Sequence, residues 1–422
     1  MGTVRRATAL IAAQLITFLA ICPAAGADGT GAAAGSPVGE PVGGALLGGR
    51  GVVSNRAPGV KAPPRIDASS YVIADGDTGE VLAAKDPHGH YLPASTLKTL
   101  TSVALIPKLD RNALVRPTEA AVDVEGTKVG MSTKLTYRVS DLFKALLMVS
   151  GNDAALALTQ AVGGLRPTLD TMNSEARRLQ AYDTLAGSPN GLDVDLGLSV
   201  KTQHTSAYDL SLIMRQGLKL RDFCEYVGTV NADWPALPSE KELKEGKRAG
   251  GYPIYTHDRL LRPGESRYSG MIGGKNGYTN AAQQTFVGAA RRNGHTIIIA
   301  LMHSPVLWTY ATELLDWGFS ARGRVQPVGR LVEPIVPVRK KPEQGSAHLP
   351  AISLHRGDAG MWGLIAVAAG AGSGVVVGAG MLVLALRRRR RLRTAPAEIV
   401  PVPLEEPAES GGPGEQIEPP TR

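Results

Sequence analysis

Between residues 65 and 325 the hydrophobic positions change period several times, and each change predicts an element. SYVIAD and EVLAAKD are short apolar runs on either side of GDTG, the pattern of a β-hairpin. LPASTLKTLTSVALIPKL takes up a helical spacing after Ser95. TYRVSDLFKALLMVSGNDAALALTQAVGG holds two helical runs interrupted at SGND. Farther on, QTFVGAARRNGHTIIIALM reads as two strands joined at Asn293–Gly294, a dipeptide that favours the tight turn of a hairpin. VLWTYATELLDWGF closes the region as an amphipathic helix with Leu307, Ala311, Leu314 and Leu315 on one face. Strands at both ends and helices in the middle predict an α/β fold. An antiparallel sheet is assembled from the two ends of the region, with a helical subdomain inserted between them. No internal repeat is present.

The flanks carry different patterns. Residues 1–27 place Arg5 and Arg6 before an apolar stretch, Ala7 to Ile21, and the small residues AGA, which predicts a secretory signal peptide. Residues 28–64 are Gly-, Ala- and Pro-rich with little apolar periodicity and read as a disordered linker. Residues 326–360 read as a stalk. Residues 361–386 carry no charge and are long enough to span a bilayer, for which about 20 residues suffice. The arginine run that follows is a positive-inside signal. The expected arrangement is a single-pass protein of the cell membrane, its 65–325 domain extracellular and its 387–422 tail disordered and cytoplasmic.

Composition changes this picture in two places. The formal net charge of the 422 residues is +8, yet six arginines lie in RRRRRLR, Arg387 to Arg393, and without them the balance is +2. The excess is one local run rather than a basic face, which argues against a nucleic-acid partner. Of two cysteines, Cys22 falls in the expected signal peptide, so Cys224 has no internal disulfide partner and reads as a small buried hydrophobe.

Three short motifs bear on chemistry. Ser95 and Lys98 are three residues apart at a helix start, which puts both on one face. A serine hydroxyl needs a base to become a nucleophile. A lysine serves as that base once burial or a neighbouring cation lowers its pKa. A serine–lysine pair at this spacing also arises by chance about once in a chain this long, and the local pattern equally fits a capped helix with a solvated lysine. Ser150-Gly151-Asn152, between two helical runs, is either a polar helix break or a second hydroxyl with a substrate-holding amide. Lys275-Asn276-Gly277, just before the terminal strand pair, is either a glycine-rich turn or an ammonium beside a site that substrate backbone approaches closely.

Taken in order and context, the three match the set carried by penicillin-binding proteins and serine β-lactamases. From about residue 68 to 320 the chain resembles the low-molecular-weight penicillin-binding proteins, the serine-type D-alanyl-D-alanine carboxypeptidases. The resemblance rests on PASTLK, SGNDAA, SPNGLD, HTSAYDL and RLLRPGESRYSGMIGGKNGYTNAAQQTFVGAA. It implies a β-lactamase/transpeptidase-like fold, with Ser95 as nucleophile, Lys98 as its base and Ser150 as proton relay. Asn152, Lys275, Asn276, Gly277, Tyr278 and Thr279 would bind substrate, and the backbone amides of Ser95 and Tyr278 would hold the oxyanion. Lys98 and Lys275 are expected to depress each other's pKa by like-charge repulsion. The implied substrate is a peptidoglycan stem peptide, with β-lactams as covalent inhibitors and neither cofactor nor metal. One position departs from the pattern: Asn276 stands where the family usually has threonine, whose hydroxyl helps hold the substrate's terminal carboxylate.

Three other readings share these motifs. A β-lactamase of the glutamate-dependent kind would need a glutamate in AGSPNGLDVDLG, which has aspartates only. An endopeptidase or transpeptidase would use the same nucleophile on cross-linked peptides. A non-catalytic wall-binding scaffold would keep the fold without the chemistry.

Overall fold

The computed structural model describes residues 40–336. The signal peptide expected over 1–27, the membrane span over 361–386 and the tail over 387–422 lie outside the described residues. Among the described residues no helix is long and apolar enough to cross a membrane.

The elements follow the hydrophobic pattern closely. β1 (Val52–Ser54) precedes the predicted hairpin of β2 (Ser70–Asp75) and β3 (Glu80–Lys85). Asp75 closes that hairpin by accepting the amides of Asp77 and Thr78 on Oδ1, both at 2.9 Å. α1 (Lys98–Leu105) comes next, then the short strand β4 (Leu114–Val115) and the single turn α2 (Glu119–Val122). β5 (Tyr137–Arg138) pairs with β4 and leads into α3 (Val139–Met148) and α4 (Asn152–Ala161), the two helices predicted on either side of SGND. α5 (Leu165–Arg178), α6 (Ala207–Gly217) and α7 (Arg221–Val227) complete the helical part. A two-stranded ribbon of β6 (Asn231–Ala236) and β7 (Gly250–Tyr255) brackets α8 (Glu240–Lys244). The chain then returns to the main sheet with β8 (Met271–Thr279), β9 (Gln283–Arg292) and β10 (His295–Ser304), and continues through α9 (Trp308–Ala321) to β11 (Gly329–Arg330).

The main sheet is antiparallel throughout, in the order β1-β3-β2-β10-β9-β8, with β11 also pairing β3. Sheet neighbours therefore come from both ends of the region, as the sequence predicted. Asn293 and Gly294 both adopt positive φ, 50° and 81°, as a tight hairpin between β9 and β10 requires.

Strand alternation explains why these segments read as nearly unbroken apolar runs. Val72, Ala74, Ile298, Ala300 and Met302 face α6 and belong to the larger core, to which α1, α3 and α4 also contribute. Tyr71, Ile73, Ile297, Ile299 and Leu301 face Ala311, Leu314 and Leu315 of α9 in the smaller one. A sheet covered on both faces buries every residue of its central strands. α1 is likewise buried on all sides, as a helix packed among α3, α5 and α6 must be.

Two boundaries differ from expectation. The segment read as linker over 28–64 enters the fold from residue 40. Leu47 is fully buried in the larger core, and β1 pairs β3 through Val52–Lys85, Val53–Ala84 and Ser54–Ala83. One leucine and a three-residue strand are too short to register as periodicity among so many glycines. The first residues of the expected stalk also belong to the fold, through β11 and the Arg330 amide on the Gly43 carbonyl (2.8 Å). Cys224 is half-buried rather than buried, its thiol donating to the Leu218 carbonyl at 3.3 Å.

Candidate active site

Ser95 lies on a 3₁₀ turn, Ala94–Leu97, that runs directly into α1 at Lys98. The α-helix thus begins three residues later than its apolar spacing suggests. Ala94, at the head of this turn, is held at φ 46°, in a region that residues with a side chain seldom occupy. The Pro93 carbonyl fixes this turn by accepting Thr96 Oγ1 at 2.6 Å and Thr285 Oγ1 of β9 at 2.9 Å.

Lys98 is fully buried, and its Nζ has three neighbours: Ser95 Oγ at 2.9 Å, Asn152 Oδ1 at 2.8 Å and the Asn190 carbonyl at 2.6 Å. Two of these are oxygens that can only accept. A neutral amine has two N–H bonds and one lone pair. With both N–H groups spent on Asn152 and Asn190, the lone pair is left for the Ser95 hydroxyl to donate to. Burial, then the nearby Lys275 charge, push the Lys98 amine well below the usual lysine range, against an opposing pull from Asp153.

Asn152 opens α4 and is oriented from the other side, its Nδ2 donating to the Glu125 carbonyl at 2.7 Å. That bond fixes which amide atom faces Lys98. Asp153 is buried beside it, and its carboxylate accepts the amides of Val129 (3.0 Å), Gly130 (2.9 Å), Met131 (3.3 Å) and Ala154 (2.9 Å). This holds the 125–131 loop against the site. Ser150 sits at φ 65° in the break between α3 and α4, nearly buried. Its hydroxyl makes no hydrogen bond to another described residue. A non-glycine residue held in this region costs roughly 1–3 kcal/mol.

β8 brings the third motif. Lys275 is fully buried, and Nζ donates to the Asn276 carbonyl at 2.6 Å. Burial pushes its pKa down to about 7, with Asp258 opposing. The expected mutual repulsion therefore appears as an effect of Lys275 on Lys98, while the depression of Lys275 itself comes from desolvation. Gly277 is where β8 passes closest to the nucleophile: a Cβ there would lie 2.6 Å from the Ser95 amide nitrogen. Asn276 and Tyr278 alternate to the opposite side of the strand, and Tyr278 is half-exposed. Thr279 is the last residue of the strand. Its hydroxyl donates to Asp193 Oδ2 at 2.6 Å and accepts the Ala282 amide at 3.0 Å, so it ties the strand end to the 190s segment.

The structure thus gathers Ser95, Lys98 and Asn152 into one hydrogen-bonded cluster, with Lys275 and Gly277 alongside. Sequence reasoning missed Asn190, Asp153, Asp193 and Asp258. Gly191 had a legible signal in SPNGLD: at φ 84° it packs so tightly on the Ala94 carbonyl that a Cβ would lie 1.8 Å from that oxygen.

Residues 57–305, more than half of the chain, match the family model described as Peptidase_S11, D-alanyl-D-alanine carboxypeptidase. The chain is 37% identical over 259 residues to the D-alanyl-D-alanine carboxypeptidase DacB2 of Mycobacterium tuberculosis, covering 60% of this chain and 82% of that protein. It is 26% identical over 263 residues to DacF of Bacillus subtilis, covering 60% of this chain and 62% of DacF. The crystal structure of a D-alanyl-D-alanine carboxypeptidase from Mycobacterium tuberculosis superposes with a TM-score of 0.57 at 35% identity, covering 65% of this chain and 99% of that one. The Streptomyces K15 DD-transpeptidase, at 24% identity and a TM-score of 0.55, shares the fold. With the serine–lysine cluster and the strand beside it in place, the chain belongs to the serine-type D-alanyl-D-alanine carboxypeptidase family.

Proposed function

We propose that the chain removes the terminal D-alanine from peptidoglycan stem peptides through an acyl-enzyme on Ser95, and that β-lactams acylate the same oxygen. The observation that carries this reading is the Lys98 amine, 2.9 Å from Ser95 Oγ, with two acceptor oxygens occupying its N–H groups.

In this mechanism Ser95 Oγ attacks the carbonyl between the two terminal D-alanines while its proton passes to the Lys98 lone pair. The developing oxyanion is held by the amides of Ser95 and Tyr278. Loss of one such donor costs about 10²–10³ in rate in other enzymes. Ser150 delivers a proton to the departing amine as the C–N bond breaks, with Lys275 providing positive charge beside it. Asn152 orients the acyl-side amide, while Lys275 and Asn276 face the leaving residue. Gly277 lets the peptide backbone lie against β8. Water then attacks the Ser95 ester and releases the shortened peptide. Thr279, through its hydroxyl bonds to Asp193 and the Ala282 amide, ties the strand end to the 190s segment.

The signal peptide over 1–27 and the apolar stretch over 361–386 would carry this domain outside the cell membrane and anchor it there, close to nascent wall peptides. A phosphatase reporter active only outside the membrane, fused after Arg422, should be inactive. Activity there contradicts the assigned orientation.

The purified chain incubated with a stem pentapeptide ending in D-Ala-D-Ala should release free D-alanine, and Ser95→Ala should release none. A wild-type chain that leaves the pentapeptide intact but cuts a cross-linked dimer would make it an endopeptidase instead.

A further inference from the structure

Beyond Asn276 the strand edge opens into a cleft of about 380 Å³, lined by His257, Arg259, Arg262, Asn276, Leu307 and Trp308 among others. No carboxylate lines it. The segment that carries the arginines is fixed at several points. The His257 amide donates to the Met148 carbonyl at 2.7 Å, beside the Ser150 break. Asp258 is buried and accepts the Leu260 amide at 2.9 Å, and Leu260 is itself fully buried in the smaller core. The amides of Leu261 and Arg262 both turn back to the Asp258 carbonyl, at 3.2 and 3.1 Å. A helical turn of this kind puts Arg259 and Arg262, three residues apart, on one side. Neither guanidinium pairs with another described residue. The His257 imidazole, which lines the cleft with them, is held below its ordinary range by desolvation, by the Lys275 charge and by Arg262.

Two guanidiniums without a carboxylate, next to the strand that faces the scissile bond, form a site for an anion. The anion a DD-peptidase substrate brings there is the carboxylate of its last residue. The volume falls in the range of small-molecule sites, about 300–1,000 Å³, and exceeds what an alanine methyl needs. Leu307 and Trp308 supply an apolar floor.

We propose that this cleft is the subsite for the leaving residue, in which Arg259 and Arg262 take its carboxylate and Leu307 and Trp308 receive a side chain larger than the methyl of alanine. The inference rests on the DD-peptidase reading of the site. It gives the Asn276 departure a physical account: the strand hydroxyl usually present is replaced by charge supplied from a neighbouring segment.

The test compares release of the last residue from peptides ending in D-Ala-D-Ala, D-Ala-D-Leu and D-Ala-D-alaninamide, by the wild-type chain and by an Arg259→Gln/Arg262→Gln double variant with an unchanged melting temperature. The wild type should favour the acid over the amide and should release D-leucine within about tenfold of D-alanine. Charge-assisted hydrogen bonds are strong enough that the double variant should lose about tenfold or more of the acid preference, chiefly through KM. An acid-to-amide ratio unchanged in the double variant overturns the role of the arginines. A wild-type preference for D-alanine over D-leucine beyond about a hundredfold overturns the enlarged subsite. A wild type that labelled penicillin fails to acylate sinks the reading of the site, and this inference with it.

Discussion

Gly277→Ala puts the smallest possible perturbation at the point where β8 meets the nucleophile. The added Cβ would lie 2.6 Å from the Ser95 amide nitrogen, 2.5 Å from Thr285 Oγ1 and 3.0 Å from Ala94 Cβ. The Thr285 hydroxyl can rotate away, although doing so breaks its bond to the Pro93 carbonyl. The Ser95 nitrogen is backbone and cannot. Ordinary contact begins at 3.4 Å, so relief from 2.6 Å requires strand and nucleophile to separate by about 0.8 Å. Misplacement of reacting groups by about 1 Å costs about 10²-fold in rate, or roughly 2.7 kcal/mol of transition-state stabilisation. Overpacking of this size costs about 1–3 kcal/mol of stability, which a domain with two cores should survive. The assay is the second-order rate of acylation by a fluorescent penicillin, read beside a circular-dichroism melt. The expected result is a folded protein acylated about a hundredfold more slowly. A folded Gly277→Ala protein acylated within about threefold of wild type would refute the close approach of strand and nucleophile.

Other perturbations test separate parts of the account. Asp153→Ala removes the acceptor for three loop amides, at a cost of about 1–3 kcal/mol for each group left unsatisfied. It should lower the melting temperature and acylation together, and an unchanged melt would show that the 125–131 loop is held otherwise. Gly191→Ala places a Cβ 1.8 Å from the Ala94 carbonyl at φ 84°, so acylation should be lost; near-normal labelling would contradict the packing of SPNGLD on the nucleophile turn. Lys275 has a pKa near 7 in the fold against an ordinary value of 10.5. Below pH 7 it is protonated in both states and its burial is opposed. Between pH 7 and 10.5 the unfolded chain binds a proton that the folded one has released, so stability rises with pH across that window. Thermal melts from pH 6 to 10 should show this rise, and Lys275→Met should diminish it; identical profiles would contradict the depressed pKa. If Lys275 acts as a cation, kcat/KM should fall as pH passes through 7, and Lys275→Arg, charged throughout, should remove that limb while slowing the reaction. Persistence of the limb in the arginine variant would assign it to another group.

How far the sequence carried this picture depends on the range of each interaction. β2–β3 and β9–β10 were legible because apolar runs and turn residues are adjacent in the chain, down to the positive φ of Asn293 and Gly294. Ser95 and Lys98 were legible because one helical turn separates them. Ser150, Asn152 and Lys275 became meaningful only as an ordered set, since each alone fits a cap or a turn. Asn190 was not legible: its contribution is a backbone carbonyl, 92 residues from Lys98, and a carbonyl leaves no mark on residue type. Asp153 and Asp258 read as ordinary charges until burial gave them their partners. The 40–64 segment was misread because its single buried leucine and short edge strand sit in a composition that usually marks a linker.

The central claim is that Ser95, with its proton taken by Lys98, is the one nucleophile of this site. The measurement that tests it most directly is peptide mapping by mass spectrometry after reaction with a penicillin. A single covalent adduct on Ser95, absent from Ser95→Ala and strongly slowed in Lys98→Ala, is the predicted result. An adduct on any other residue, or one that forms undiminished in Ser95→Ala, would contradict it.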